Sequence, residues 1–382
     1  MKGRPKRGQS MLTLGPPSPA PPRHDVRAVA RRFRILGDFI SDEPYGTGHI
    51  NDTYAAVFAQ GGAPVRYLLQ RLNTQVFQCP AAVMENIQRV TGHVRGKLAG
   101  GGEVSRSVLT LIPTVEGRWW HGDERGNCWR AYIFIENART YDQVQSSRQA
   151  FAAAKAFGAF QQQLADLPAP RLHDTIPGFH DTPARLAQLE QAVAADAANR
   201  AQLARAEIEF ACRRKPLTAS LLAANLPERI THNDTKLNNV MLDDGTGEGV
   251  CVIDLDTVMP GLAAYDFGDM VRTSTSLNAE DERDLSKVAM RFELYEALVR
   301  GYLEGAAGFL TRAEKQYLAP AGKIVTLEIG IRFLTDYLAG DRYFKVLRKG
   351  QNLDRCRTQF KLVESLERQE ERMVRLVEQC AG

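Results

Sequence analysis

A change of hydrophobic period partway along the chain limits what it can fold into. From about residue 30 to 136 the apolar residues follow strand logic. Thr53 to Phe58, Val65 to Leu72, Val104 to Leu111 and Trp129 to Ile135 are rich in β-branched and aromatic side chains, with Gly- and Asn-bearing breaks between them. Gly122-Asp123-Glu124-Arg125-Gly126-Asn127 reads as a hairpin turn joining Arg118-Trp119-Trp120 to the last of these strands, and one helix, around Pro80 to Val94, interrupts the series. Past Tyr141 the period becomes helical. Leu285, Val288, Phe292, Tyr295, Val299 and Tyr302 recur at spacings of three and four, and Ile324, Leu327, Ile331, Leu334 and Leu338 repeat the stripe. At 382 residues the chain exceeds the size at which one core usually stops growing. The expectation is an α+β chain of two lobes sharing a cleft: an antiparallel sheet with one helix over 28–138, then a larger, mostly helical part over 139–382.

Composition narrows the classes that fit. Hydrophobic residues make up 44% and charged residues 25%, an ordinary globular balance, and no apolar run is long enough for a membrane span. A net charge of +4, part of it in the first eight residues, argues against a dedicated nucleic-acid binder. The basic run Arg342, Lys345, Arg348 and Lys349 is read as a solvated helix face. Six scattered cysteines without a Cys-x-x-Cys pair read as the reduced thiols of a cytoplasmic protein. Residues 1–27 read as a disordered Pro-rich tail without the apolar stretch of a secretory signal, and Met1 and Met11 both stand as start sites.

The densest cluster of acidic and amide side chains lies in a strand-rich island between the helices. Thr231-His232-Asn233-Asp234-Thr235-Lys236-Leu237-Asn238-Asn239-Val240 is followed, across the polar turn Asp243 to Gly249, by Val252-Ile253-Asp254-Leu255-Asp256. Phosphoryl transfer requires a carboxylate to orient the attacking hydroxyl, metal ions bridging the phosphates, and oxygen ligands for those ions. An Asp followed by Lys at +2 and Asn at +5, with a strand ending in Asp fifteen residues beyond that Asn, supplies these parts in the order of a kinase catalytic loop. Asp234 is the candidate base, Lys236 the stabiliser of phosphate charge, and Asn239 and Asp254 the candidate magnesium ligands. Asp256 joins them on the same face if the strand continues. Asp266, in Tyr265-Asp266-Phe267-Gly268-Asp269, is either an acceptor for catalytic-loop amides or a helix cap.

Three further features fit nucleotide binding. Gly46-Thr47-Gly48 opens the strand region, where glycines let backbone amides approach phosphates, although a hairpin turn accounts for the same pattern. Arg71 stands on a strand where a kinase places its phosphate-pairing lysine, with Glu85 on the following helix as its partner; a surface arginine explains it equally well. The segment Tyr132 to Asn137, with Phe134, Ile135 and Glu136, is placed against the adenine. Neither a Walker-type nor a dinucleotide-binding glycine motif occurs.

Gly-Thr-Gly-His-Ile-Asn-Asp-Thr-Tyr at 46–54, Leu-Leu-Gln-Arg-Leu-Asn at 68–73, His-Asn-Asp-Thr-Lys-Leu-Asn-Asn-Val at 232–240 and Val-Ile-Asp-Leu-Asp-Thr-Val-Met-Pro-Gly at 252–261 together resemble the N-acetylhexosamine 1-kinases, within the aminoglycoside phosphotransferase and choline kinase superfamily. The resemblance implies a protein-kinase-like fold and ATP- and Mg2+-dependent transfer to the anomeric hydroxyl of N-acetylglucosamine or N-acetylgalactosamine. It implies that Arg332 and Tyr343 look toward the sugar, with His49 and Asn51 as further sugar contacts. Arg71 in place of the superfamily's strand lysine leaves the phosphate-clamping residue open. A choline, amino-alcohol or aminoglycoside kinase is the alternative. A nucleotide-binding pseudokinase is a third reading, disfavoured because base and metal ligands are all present.

Overall fold

In the computed structural model of the chain, residues 24–46, 50–101 and 104–381 are described; Thr47, Gly48 and His49 lie outside them, as do residues 1–23 of the expected tail. The first lobe comprises α1 (Val26–Ala30), β1 (Asp38–Pro44), β2 (Asp52–Gln60), β3 (Ala63–Leu72), α2 (Pro80–Leu98), the short α3 (Val104–Ser107), β4 (His121–Gly122) and β5 (Cys128–Ile133). Its sheet runs β1-β2-β3-β5-β4, antiparallel throughout.

Register decides which side chains meet the second lobe. Asp52, Arg71 and Trp129 pair across the strands, as do Thr53, Gln70 and Arg130. Side chains alternate along a strand, so these two rows face opposite ways. The Trp129 row is covered by α1, where Val26, Ala30 and Phe33 pack with Tyr54, Phe58 and Leu69. The Arg130 row faces α2 and the rest of the molecule, where Leu72, Cys128 and Tyr132 meet Val83, Met84 and Ile87.

The chain then continues through β6 (Ala138–Arg139), α4 (Ser147–Leu164), α5 (Thr182–Ala195), α6 (Arg205–Arg213), α7 (Lys215–Thr218), α8 (Ser220–Ala223), β7 (Arg229–Thr231), β8 (Val240–Asp243), β9 (Gly249–Val252), β10 (Met259–Gly261), α9 (Ala263–Ser274), α10 (Phe292–Gly305), α11 (Arg312–Ala339) and α12 (Gln351–Ala381). Small ladders β6-β8-β9 and β7-β10 carry the loop that holds Asp234. Helices α4 and α10 cross with their backbones in contact: a Cβ on Gly301 would stand 2.3 Å from the Phe151 carbonyl oxygen, and one on Gly305 2.0 Å from that of Lys155. Thr311 and Glu314 close a capping box at the start of α11, and left-handed Gly340 ends it. Ile324, Leu327, Ile331, Leu334 and Leu338 are all buried.

Several expectations change. Val104 to Leu111 is not a strand: Val104–Ser107 is helical, and Leu111 makes a single bridge to Tyr132. Arg106 is the physical reason, since its guanidinium donates to the carbonyls of Glu136 and Asn137 and to Asp243 and draws the segment across the interlobe link. The strand before the hairpin is His121–Gly122 rather than 118–120. Val26 is buried in a helix, so ordered structure begins before the expected boundary at 27. The stripe from Leu285 to Tyr302 spans two elements, a 3-10 turn at Leu285–Lys287 and α10. The basic run from Arg342 to Lys349 lies in the irregular link between α11 and α12. No described helix is long and apolar enough to cross a membrane, and all six cysteines are free.

Candidate active site

The loop after β7 is held from beneath by α9. Asp266 accepts the backbone N–H groups of His232 (2.8 Å) and Asn233 (2.7 Å), and its own carbonyl accepts the Thr235 hydroxyl. Of the two roles left open for Asp266, the structure shows the first. Asn233 has φ 65°, a left-handed conformation that asparagine tolerates. Its amide donates to the Thr257 carbonyl while its oxygen accepts the Thr231 hydroxyl. His232 Nδ1 accepts the Asp234 N–H, which leaves the ring proton on Nε2 to donate to the Ile253 carbonyl (2.8 Å). The His-Asn-Asp wording thus encodes a turn pinned to both neighbouring strands.

This turn brings Asp234, Lys236, Asn239 and Asp254 together. Lys236 Nζ lies 2.9 Å from Asp234 Oδ2, and Asn239 Nδ2 donates to the carbonyl of Asp234 (2.7 Å) and to the same carboxylate oxygen (3.1 Å). Ile253 N–H donates to the Asn239 carbonyl, tying the two candidate ligand segments. Burial works to raise the Asp234 pKa, but Lys236 outweighs it, and the carboxyl stays below its usual range. Asp254 goes the other way: burial, then the charges of Asp256 and Asp234, push its carboxyl up to about 6. With its amide nitrogen on Asp234, Asn239 keeps Oδ1 for another partner, and the Asp254 carboxylate makes no hydrogen bond or ion pair among the described residues. Two hard oxygen donors beside crowded carboxylates suit Mg2+, which takes few protein ligands and completes its shell with phosphate and water. No group of three His, Cys, Asp or Glu that could hold a metal forms among the described residues.

Asp256 does not share a strand face with Asp254. β9 ends at Val252, Asp254 has φ 57°, and Leu255–Thr257 is a 3-10 turn. The Asp256 carboxylate is instead the centre of a buried network, accepting Arg130 on one oxygen and Asn51 Nδ2 on the other at 2.7 Å. Asn51 Oδ1 accepts the Asn73 N–H, so the amide assigned to sugar binding is spent within the protein. Gln70 accepts Arg130 Nε at 2.9 Å and donates to Thr53.

Arg71 and Glu85 do not pair. Arg71 lies on the α1 side of the sheet with Asp52 and Asn127, and Glu85 meets His173. The cation directed from the sheet toward the catalytic segment is Arg130, which sequence reasoning missed. Its signal was a charge flanked by Trp129 and Tyr132 in an otherwise apolar strand, where burial demands a partner. At the interlobe link, Phe134 and Ile135 are buried, while exposed Glu136 pairs with Arg66, whose guanidinium sits 3.7 Å from the Phe134 ring centroid. Gly46, at φ 82°, adopts a turn that glycine favours.

A second cluster stands behind Asn233. His180 Nδ1 is 2.9 Å from Glu328 Oε1 and Nε2 is 3.3 Å from the Asn233 carbonyl oxygen, so both ring nitrogens face acceptors, an arrangement that favours the doubly protonated imidazole. Burial opposes that charge, but Glu328 outweighs it and the His180 pKa is raised above 6.5. Burial also opposes charge on Glu328, yet His180, ahead of Arg332, lowers its pKa below 4.5. A raised folded pKa stabilises below the unfolded value and fades as pH climbs through the folded one; a lowered carboxylate behaves inversely. The pair should support the fold most fully between about pH 4.5 and 6.5. The melting-temperature gap between wild type and Glu328→Gln is therefore expected to be widest there and to narrow toward pH 9. A gap independent of pH would remove the charged-pair assignment. Arg332, on the same helix, lies with its Cζ 5.9 Å from the Tyr343 ring centroid, so these two predicted residues do meet. Arg272, buried on α9 and paired with Asp269 at 2.7 Å, also lowers the Asp234 pKa.

The fold has many solved counterparts. An aminoglycoside phosphotransferase from Alicyclobacillus acidocaldarius aligns over 95% of this chain and 99% of its own at 14% identity, with a TM-score of 0.61. A choline kinase from Cryptosporidium parvum aligns over 94% and 99% at 13% identity (TM-score 0.56). A microcompartment-associated aminopropanol kinase aligns over 91% and 98% at 15% identity (TM-score 0.55). At such identities the likeness concerns the fold, which is the two-lobed, protein-kinase-like one expected. Residues 42–309 match the family model of the phosphotransferase enzymes (APH), and that span includes Asp234, Asn239 and Asp254. The chain belongs to the phosphotransferase enzyme family and is a kinase of hydroxyl-bearing small molecules.

Proposed function

We propose that the chain transfers the γ-phosphate of ATP to a sugar, at the anomeric hydroxyl of an N-acetylhexosamine, giving the sugar 1-phosphate. The observation that carries the reading is the convergence of Asp234, Lys236, Asn239 and Asp254 on one spot beneath the sheet lobe.

Adenine lies against the link at Phe134 and Ile135, whose backbone is not occupied by a sheet partner beyond Phe134 N–H. Asn239 Oδ1 and Asp254 are the groups that would hold Mg2+, which would supply neutralisation of the phosphate charge. Asp234 orients the acceptor hydroxyl and takes its proton. Because Lys236 keeps that carboxyl ionised, its first task is orientation, with proton transfer following the loose transition state. Lys236, whose pKa the Asp234 charge raises, remains cationic to stabilise the transferring group.

Sugar is favoured over choline, amino alcohols and aminoglycosides by the charge of the acceptor end. Cationic acceptors require acidic surroundings, whereas Arg332, whose charge acts on the Glu328 to His180 pair behind Asn233, makes no ion pair among the described residues. An ADP-release assay over N-acetylhexosamines, choline, ethanolamine and an aminoglycoside tests this. Hexosamines are expected to exceed the cationic acceptors by at least about tenfold in kcat/KM; the opposite order would end the sugar reading.

A further inference from the structure

Three successive residues beyond Asp254 are each tied to a different part of the molecule. The Asp256 carboxylate takes Arg130 of β5 and Asn51 before β2; the Thr257 carbonyl takes Asn233 Nδ2, from the turn that carries Asp234, at 2.9 Å; and the Val258 carbonyl takes Nδ2 of Asn86, on α2, at 3.0 Å. Asp254 itself is left-handed at φ 57°, a conformation that persists where the surroundings over-determine it. Its carboxylate has no hydrogen bond or ion pair among the described residues, so its backbone decides where the side chain points.

Asn86 is fully buried and its amide is wholly committed. Nδ2 donates to the His173 carbonyl (2.8 Å) as well as to Val258, and Oδ1 accepts the His173 N–H (3.0 Å). Carbonyls face one end of the amide and an N–H the other, so a single orientation satisfies the site. Arg89, His93 and Lys97 follow on the same face of α2 at intervals of three and four. Arg89 donates to the carbonyls of Pro168 (2.8 Å) and Pro170, and His93 (3.0 Å) and Lys97 meet Asp166. These bonds fasten α2 along 166–173, between α4 and α5, while the adjoining face of Val83, Ile87, Val90 and Val94 supplies apolar packing. Apolar packing has no direction and hydrogen bonds do, so the polar stripe sets the register of the helix.

Protein kinases join sheet to helix directly, through a strand lysine and a helix glutamate. Here Arg71 and Glu85 find other partners, and sheet and helix are joined through 256–258 instead. We propose that Asn86 is a positioning residue of phosphoryl transfer: it conveys the placement of α2 to the backbone that aims Asp254, and with Arg130 it takes over the work of the direct strand-to-helix pair. This rests on the reading of Asp254 as a Mg2+ ligand and adds the residue that sets its aim.

The test uses full-length protein and the best acceptor of the panel above. Asn86→Ser is expected to lose about 10- to 100-fold in kcat with the acceptor KM within about threefold, because a displaced ligand slows the transfer without touching the acceptor. Calorimetric titration with ADP should show binding weakened about tenfold in Mg2+ and unchanged in EDTA. Without nucleotide, hydrogen exchange should quicken at the Ile253 and Val258 amides, which donate to Asn239 and Leu255. The control, Arg89→Met with His93→Gln, loosens the same helix without reaching Val258; it should quicken exchange in 166–173 and keep kcat within about threefold. If Asn86→Ser matches that control in kcat and in Mg2+-dependent ADP binding while Asp254→Asn is inactive, Asn86 serves packing alone and the proposal falls by itself. If Asp254→Asn keeps wild-type turnover and Mg2+-dependent ADP affinity, the metal-ligand reading falls and takes the proposal with it. Should Asn86→Ser melt too early to assay, exchange in wild type against denaturant still decides: α2 and 254–258 opening as one unit supports the link, and α2 opening with β1, β2 and β3 ahead of 254–258 overturns it.

Discussion

Asp234→Asn is expected to melt within a few degrees of wild type and to lose about 10²- to 10⁴-fold in phosphoryl transfer. The side chain keeps its volume and one oxygen to accept from Asn239, and the turn is held by Asp266, His232 and Asn233 rather than by the Asp234 carboxylate. The ion pair lost is with Lys236, whose side chain is 38% exposed, so its contribution to folding is no more than about 1 kcal/mol after solvent screening. On the proposed mechanism, what disappears is the anion that aligns the attacking hydroxyl and receives its proton. Single-turnover ADP formation beside a melting curve separates the two effects. Wild-type turnover in the variant, with any acceptor, would leave Asp234 without a chemical role.

The geometry of the candidate catalytic turn was legible because its residues are compressed into one stretch of chain. Asp234, Lys236 and Asn239 are near neighbours, and the hairpin returning Asp254 is a local structure, so spacing sufficed to bring them together. Helix α11 was legible because every member of its stripe reaches the core. Legibility ended where a side chain's role depends on strand parity or on a distant partner. Arg71 and Arg130 differ by which face of the sheet they take, a matter of register that a single sequence does not state. The Asp256 to Arg130 contact spans 126 positions, and that of His180 to Glu328 spans 148. Val104 to Leu111 was misread because Arg106 reaches hinge carbonyls and Asp243, contacts that outweigh the strand propensity of its neighbours.

Arg130→Met and Asp256→Asn are each expected to destabilise the fold by about 3–5 kcal/mol, the cost of leaving one charge or its hydrogen bonds without a partner in a dry interior. Both side chains are 2% exposed. Burial opposes ionisation of Arg130, but Asp256 more than offsets it and the guanidinium pKa is raised, as for a committed pair. If the pair served folding alone, Arg130→Met combined with Asp256→Leu should recover most of the loss, since well-packed apolar groups replace a buried ion pair at little cost. Catalysis should not recover with it. Asp256 also takes Asn51, which fixes Asn73 after β3, and stands two residues from left-handed Asp254, so the pair joins β2, β3 and β5 to the candidate metal-ligand segment. The stable double variant is therefore expected to bind ATP at least about tenfold more weakly and to turn over more slowly, a dissociation that calorimetric titration with nucleotide and a thermal melt read independently. A double variant both stable and fully active would mean that the sheet lobe aligns itself without this link. The burial of the two charges would then need a different physical account, because an ion pair so placed is weak support for stability alone.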